Sequence, residues 1–159
     1  GGGHQSLNEA GAVEGVGATG RIYYAGWNSS TFGVGNDSDT NAGTGAKFIA
    51  YLFSSLAGIS KVGSYTGNGS TQVIDCGFTS GARFVLIKRA VGGSGGWYVW
   101  DSVRGIVAGN DPFLTLNNTN AENTSVDLVD PASSGFAVNY DVGWSFNLTG
   151  NTYIFYAIA

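Results

Sequence analysis

Hydrophobic positions in the chain occur as short runs separated by turns rich in Gly, Asn, Ser and Thr. Two strong runs are residues 84–87 and 97–100, and residues 91–96 between them contain four glycines. Aliphatic and aromatic residues suit a pleated strand, and a glycine-rich connection suits a reversal of the chain. The pattern predicts a β-hairpin, which we expect to form the centre of the domain.

Both strands of this hairpin are apolar on both faces. Strand side chains alternate, so Trp97 and Val99 share one face while Tyr98 and Trp100 share the other. In the partner run, Phe84 and Leu86 oppose Val85 and Ile87 in the same way. We therefore expect the hairpin to be covered twice, by its own core and by a second sheet or subunit. The residues expected to serve structure or assembly are Phe84, Trp97, Tyr98, Trp100, Asp101 and Arg104, the last two as an ion pair that clamps the hairpin's end.

Further strand-like runs follow one another at spacings near ten residues. They are residues 21–27, 32–34, 47–53, 62–65, 72–78, 113–116, 125–128, 136–138, 144–146 and 152–158, and the first hairpin strand itself extends over residues 83–89. With the hairpin they give about 11–12 short strands, a rhythm typical of an antiparallel β-sandwich or jelly-roll-like domain. Residues 47–53 are apolar at nearly every position, which predicts a central strand covered on both faces.

The sequence suggests an N-terminal arm, a single domain and a similarity between two segments of that domain. Residues 1–20 form a glycine-rich N-terminal arm, expected to be flexible unless a neighbouring subunit orders it, and residues 21–159 form a single β domain. Residues 45–53 resemble residues 150–158 at an offset of 104 to 105 residues, with Phe48 on Tyr153 and Tyr51 on Tyr156. This predicts that residues 21–53 are the back half of a preceding repeat and residues 54–159 a full repeat. The chain has no methionine, which points to a processed product or a portion of a longer protein.

The amino-acid composition argues against several classes of function. Charged residues make up 11% of the chain, against about 25% in average soluble proteins. The surface must therefore be made polar by hydroxyls and amides. A net charge of −4 argues against a nucleic-acid partner, because the basic stripe that such a partner requires is absent. No apolar run approaches the length of about 18 residues needed to cross a membrane. Cys76 is the single cysteine, so no internal disulfide forms, and its alternation with Ile74 and Phe78 predicts burial.

Candidate catalytic and metal sites are weak. The single histidine, His4, lies in the arm, and no spacing singles out a pair of carboxylates, so we expect no catalysis and no cofactor. Asp37, Asp39 and Asn41 alternate as oxygen ligands do in calcium loops. The loop lacks the glycine at the sixth position and the distal glutamate, so a plain polar turn is the favoured interpretation.

A family resemblance rests on several of these motifs in order. They are Phe84-Val-Leu-Ile-Lys-Arg89, Trp97-Tyr-Val-Trp-Asp-Ser-Val-Arg-Gly105, Leu114-Thr-Leu-Asn117, Ser134-Gly-Phe136 and Tyr153-Ile-Phe-Tyr-Ala-Ile-Ala159. Together they resemble an uncharacterised repeat family of virion structural proteins in tailed bacteriophages, often marine, that are frequently tail-fibre or tail-associated. The resemblance covers residues 45–159 and, more weakly, residues 21–53. It implies a phage particle component and carries no site residue with it.

Three functional interpretations remain open at this point. The first is a non-catalytic component of a phage particle (tail fibre, tail-associated or capsid decoration protein), which associates with itself as a trimer or ring and with other virion proteins. The second is a carbohydrate-binding module for host-surface glycans, in which exposed tryptophans stack on sugars. The third is a subunit of a bacterial extracellular filament.

Overall fold

A computed structural model of the chain describes residue 10 and residues 22–23, 29–35, 38–43 and 45–159. The described residues form two compact units that divide between Leu52 and Phe53, with Ala10 in the second unit. The first unit contains the antiparallel pair β1 (Ile22–Tyr23) and β2 (Gly33–Val34), followed by α1 (Ser38–Asn41), a single helical turn. Apart from Ala10, the expected N-terminal arm lies outside the described residues.

The second unit consists of eight antiparallel strands in two sheets. The strands are β3 (Ser60–Thr66), β4 (Gln72–Asp75), β5 (Phe84–Val91), β6 (Trp97–Asp101), β7 (Leu114–Thr115), β8 (Val129–Ala132), β9 (Gly135–Val138) and β10 (Thr152–Ile158). One sheet has the order β3-β10-β5-β6-β7 and the other has the order β4-β9-β8. The predicted hairpin is β5 and β6, paired from Phe84↔Asp101 to Lys88↔Trp97.

The two sheets bury one hydrophobic core between them. In the five-stranded sheet, Tyr153, Phe155 and Ala157 of the interior strand β10 point into the core and are buried. Phe155 meets Phe136 of β9 edge to face, with ring centroids 5.4 Å apart. Opposite Phe155 on β3 lies Gly63, where a Cβ atom would stand 2.7 Å from the Phe155 ring. The all-β sandwich predicted from the sequence is confirmed.

The prediction of a central strand at residues 47–53 is wrong. Residues 46–55 belong to no strand, and the side chains of Phe48, Ile49, Tyr51 and Leu52 are 49%, 81%, 80% and 74% exposed. A strand exists only where neighbours satisfy its backbone N–H and C=O groups. Within the described residues, no strand pairs with this segment.

Two further strand predictions are also wrong. Residues 125–128 precede the strand, which is β8 and includes Pro131. Proline has no N–H to donate, and β8 can contain it because β8 is an edge strand of its sheet. Residues 144–146 form only an isolated bridge, because Ser145 and Asn147 adopt positive φ angles of 55° and 53°. The described residues therefore contain ten strands, fewer than predicted.

Candidate functional site

The core side of the β5–β6 hairpin is the most densely aromatic part of the protein. Trp100 is completely buried, and its ring lies within 5.5–6.1 Å of the rings of Tyr98, Phe113 and Phe146, measured between centroids. Tyr98 is also buried, and its hydroxyl donates to the carbonyl oxygen of Trp144 at 3.0 Å. Trp100 and Tyr98 therefore belong to the intramolecular core, as the alternation predicts.

The outer side of the same hairpin is apolar as well. Trp97 and Phe84 are partly exposed there, while Val99 is 8% exposed. Phe84 packs edge to face on Tyr156 of β10, with ring centroids 6.1 Å apart. The sequence prediction that both faces are apolar is correct, and the outer face continues across β10 to Ile154, which is 37% exposed.

Asp101 closes the end of the hairpin. Its Oδ1 accepts hydrogen bonds from the backbone N–H groups of Val103 (3.0 Å) and Arg104 (2.9 Å), and its Oδ2 pairs with the Arg104 guanidinium. The backbone N–H of Arg104 is the main cause that holds the pKa of Asp101 below its usual value. Arg104 also bonds Glu122 through Nε at 2.9 Å. The expected contact between Asp101 and Arg104 is present, and its geometry is that of a turn clamp.

A surface depression lies beside this clamp. Its volume is about 590 Å³, and its polar lining comes from Arg83, Asp101, Ser102 and Arg104. Arg83 donates from Nε to the carbonyl oxygen of Ala159 at 2.8 Å, and Arg104 is paired with two carboxylates. The ionic groups of the depression are thus committed to local structure.

The other end of the hairpin is held by two cations, which sequence reasoning missed. Lys88 has no exposed surface, and its Nζ donates to the carbonyl oxygens of Gly95 (2.8 Å), Arg89 (3.2 Å) and Ala10 (3.2 Å). Burial, followed by the charge of Arg89, lowers the pKa of Lys88 to about 8. Arg89 donates to the carbonyl oxygens of Gly93 and Ser94. The glycine-rich loop is thus fixed through its own carbonyl oxygens.

Ala10 is held by the same end of the hairpin. Besides the bond from Lys88, its carbonyl oxygen accepts a hydrogen bond from the backbone N–H of Gly95 at 3.0 Å. At this residue the N-terminal arm contacts the second unit, and the expectation that a neighbouring subunit orders the arm stays a prediction. The rest of the arm lies outside the described residues.

A second polar cluster surrounds Asp111. This carboxylate is fully buried and accepts hydrogen bonds from the N–H groups of Val107 (2.9 Å) and Val129 (3.2 Å). Burial is the main cause that raises its pKa to about 6, with smaller contributions from Asp127 and Asp130. Those two carboxylates are bridged by Asn139, whose Nδ2 donates to both, at 2.6 Å and 2.9 Å. The cluster joins the loop before β7 to β8.

The weak calcium candidate gains no support from its surroundings. Asp37 lies outside the described residues, as does the side chain of Asp39. Asn41 uses its amide Nδ2 to donate to the carbonyl oxygen of Gly35 at 3.0 Å. In the part of the chain that the structure describes, no group of three or more His, Cys, Asp or Glu side chains is placed to hold a metal ion. No helix among these residues is long and apolar enough to span a membrane.

Cys76 is buried at 6% exposure, as the sequence predicts. Burial is the main cause that raises the pKa of its thiol to about 11. The thiolate, which is the reactive form of cysteine, is therefore disfavoured at neutral pH.

Each unit exposes a group of large apolar side chains. Phe48, Ile49, Tyr51 and Leu52 end the first unit and are between 49% and 81% exposed. The second unit begins with four more exposed apolar side chains: Phe53 (58%), Leu56 (56%), Ile59 (55%) and Val62 (43%). The hydrophobic run at residues 47–53 is visible in the sequence, but its apolar character at nearly every position predicted a buried strand.

Comparison with known proteins places the chain in a family without assigning it an activity. Searches of curated proteins and of solved structures both gave no significant match. A domain family described as a domain of unknown function, DUF7483, matches residues 3–159, almost the whole chain. The protein therefore belongs to the DUF7483 family.

Proposed function

We propose that this protein is a non-catalytic structural component of a bacteriophage particle and that it acts by self-association. It would be located in the virion, as a tail-fibre, tail-associated or capsid decoration protein. Its partners would be further copies of itself, in a trimer or ring, and other virion proteins.

The observation that carries this proposal is the set of exposed apolar side chains in residues 48–52 of the first unit and residues 53–62 of the second unit. Four large apolar side chains precede the division between the units and four follow it. Clusters of exposed apolar side chains such as these, one in each unit, usually mark interaction sites. Burying one large apolar side chain contributes about 1.5–3 kcal/mol, so even half of this set would favour association strongly.

The polar groups support a structural role for the rest of the domain. Asp101 and Arg104 clamp a turn, Asp111 bonds two backbone N–H groups, and Lys88 bonds carbonyl oxygens. In each case the charged group is bonded to the protein's own backbone or, for Arg104, to the side chains of Asp101 and Glu122. A general acid, base or nucleophile must instead be free to face a substrate.

The location in a virion rests on the motif resemblance, which includes Trp97–Asp101 of β6 and the closing strand β10. The low content of charged side chains fits a protein that works in an extracellular particle. Imaging of the native phage particle at side-chain resolution tests this part. We expect the two-sheet sandwich to appear in repeated copies in a fibre or on the capsid.

Light scattering on the purified chain across micromolar concentrations tests self-association. We expect a discrete oligomer, with a trimer or a closed ring as the preferred state. A well-folded monomer at every concentration contradicts the proposal. A monomer that binds host-surface glycans, and loses this binding on Trp97→Ala, replaces it with a carbohydrate-binding function.

A further inference from the structure

We propose that residues 48–52 of one copy dock on the exposed apolar surface beside β3 of a second copy. The donor side chains are Phe48, Ile49, Tyr51 and Leu52. The acceptor side chains are Phe53, Leu56, Ile59 and Val62 of the partner copy, which we name the β3 surface. This inference rests on the proposed function and specifies the contact through which self-association occurs.

The donor has the sequence of a fully covered strand. Phe48, Ile49 and Tyr51 match Tyr153, Ile154 and Tyr156 of β10. In the structure, β10 is paired along its whole length with β3 on one side and with β5 on the other. Its core face is buried, with Ala157 at 0% exposure. A segment of this type is stable only when neighbours cover it.

Strand pairing in the first unit supports the same correspondence. Gly33–Val34 of β2 matches residues 137–138 of β9 at an offset of 104 residues. Val34 and Val138 are each paired with an antiparallel strand, through Ile22↔Val34 and Val129↔Val138, although Ile22 and Val129 are 107 residues apart. The first unit thus resembles the end of the second unit in the sequence of β2 and in its antiparallel pairing. Among the described residues, however, no counterpart of β3 or β5 flanks residues 48–52.

The charge distribution is compatible with a second copy as the occupant. Residues 40–74 contain no Asp or Glu, and their charged residues are Lys47 and Lys61. The donor and the β3 surface can therefore be buried against each other without burying a carboxylate. Burying an unpaired charge would cost several kcal/mol, on the order of what the contact gains.

The available area is that of a small interface. Eight side chains that are roughly half to four-fifths exposed, each offering about 150 Å² when fully accessible, supply on the order of 700–1,000 Å². A standard interface buries about 1,200–2,000 Å² in total. One donor–acceptor contact falls below this range and is expected to be weak by itself, and a closed assembly adds one such contact for every copy.

The contact joins different patches on the two copies. Contacts of this kind generate rings when the rotation between copies closes. The inference therefore agrees with a trimer or ring and specifies that each copy contributes one donor and one acceptor.

The test compares two double variants of the full chain by analytical ultracentrifugation. Ile49→Asp/Leu52→Asp removes the donor and is expected to weaken self-association at least tenfold. Val103→Asp/Val142→Asp adds the same charge at side chains that are 95% and 71% exposed elsewhere, and it is expected to associate like the unmodified chain. Thermal unfolding of the second unit should be the same in both variants, because all four side chains are exposed.

A mixing experiment tests the pairing of unlike patches. Leu56→Asp/Ile59→Asp removes the acceptor and should also be monomeric. Mixed with the donor variant, it should form a 1:1 dimer and nothing larger, because only one intact donor and one intact acceptor remain. If the unmodified chain associates but the donor variant associates equally well, or if the mixture stays monomeric, this inference is overturned while the proposed function stands. If the unmodified chain is a monomer throughout, both are overturned.

Discussion

Tyr65 and Tyr153 stack face to face across β3 and β10, with ring centroids 5.0 Å apart and ring planes 11° from parallel. Their hydroxyls have opposite environments. The Tyr153 hydroxyl accepts from the Leu148 N–H at 3.0 Å and donates to the Ser145 carbonyl oxygen at 2.9 Å. The Tyr65 hydroxyl is buried without a hydrogen-bond partner among the described residues, and burial raises its pKa well above the usual value.

Because of this difference, replacing tyrosine by phenylalanine should change the free energy of unfolding differently at the two positions. Tyr65→Phe removes an unsatisfied buried group and should leave the free energy of unfolding unchanged or raise it by about 0.5–1 kcal/mol. Tyr153→Phe keeps the stacking but leaves the Leu148 N–H and the Ser145 carbonyl without partners, so it should cost about 1–3 kcal/mol. Urea unfolding of the two variants checks this. Equal losses in both would contradict it.

Asn147 provides a second prediction. It is fully buried with a left-handed φ of 53°, a conformation that asparagine tolerates better than most residues. Its Nδ2 donates to the Ser70 carbonyl oxygen at 2.6 Å, and its Oδ1 accepts from Gln72 Nε2 at 2.7 Å. Asn147→Ala should destabilise the second unit by about 2–4 kcal/mol. The substitution leaves the Ser70 carbonyl and the Gln72 amide without this hydrogen-bond partner, and it places alanine in a left-handed conformation.

The control for this experiment is Asn120→Ala, since Asn120 is exposed. It should change the free energy of unfolding by less than about 0.5 kcal/mol. Chemical denaturation monitored by tryptophan fluorescence measures both. A loss at Asn147 no greater than that at Asn120 would show that the buried amide is dispensable.

Local sequence pattern predicted the sandwich because alternation is a property of each strand by itself. Tyr98 and Trp100 share the buried face of β6 for this reason. Asn147 was missed because its partner Ser70 is distant in sequence. Asp111 and Lys88 were missed because each bonds one distant residue, Val129 and Ala10, besides nearer ones. Residues 47–53 were misassigned because an apolar run shows that a segment favours burial. It does not show whether neighbouring strands are present to bury it.

The raised pKa of Asp111 predicts that the domain becomes more stable as the pH falls over a defined range. The folded-state pKa of about 6 lies above the usual aspartate value of 3.8, so the folded state binds the proton more tightly than the unfolded state. Stability should therefore rise as the pH falls from about 7 to about 4, by about 1–3 kcal/mol. Above pH 7 the contribution of Asp111 should stay constant, because the group is then ionised in both states.

Unfolding free energies measured between pH 4 and pH 8 check this prediction. Asp111→Asn cannot ionise, so the rise between pH 7 and pH 4 should be lost in that variant. This variant should also be less stable than the unmodified chain at acidic pH. The two oxygens of Asp111 accept separately from the Val107 and Val129 N–H groups, whereas the amide of asparagine has only one oxygen. If wild-type stability falls steadily on acidification across this range, the assignment to Asp111 is wrong.

The clamp at the end of the hairpin predicts unequal effects for the two members of one ion pair. Asp101→Ala removes the acceptor of two backbone N–H groups, those of Val103 and Arg104, and should cost about 1–2 kcal/mol. Arg104→Ala removes side-chain contacts to Asp101 and Glu122 that lie near solvent, and it should cost about 0.2–1 kcal/mol. Added salt should reduce the Arg104 effect and leave most of the Asp101 effect, because screening weakens exposed ion pairs more than backbone hydrogen bonds. Thermal unfolding in low and high salt measures both variants. Equal losses that vanish together in high salt would show that the ion pair, and not the turn, holds the hairpin's end.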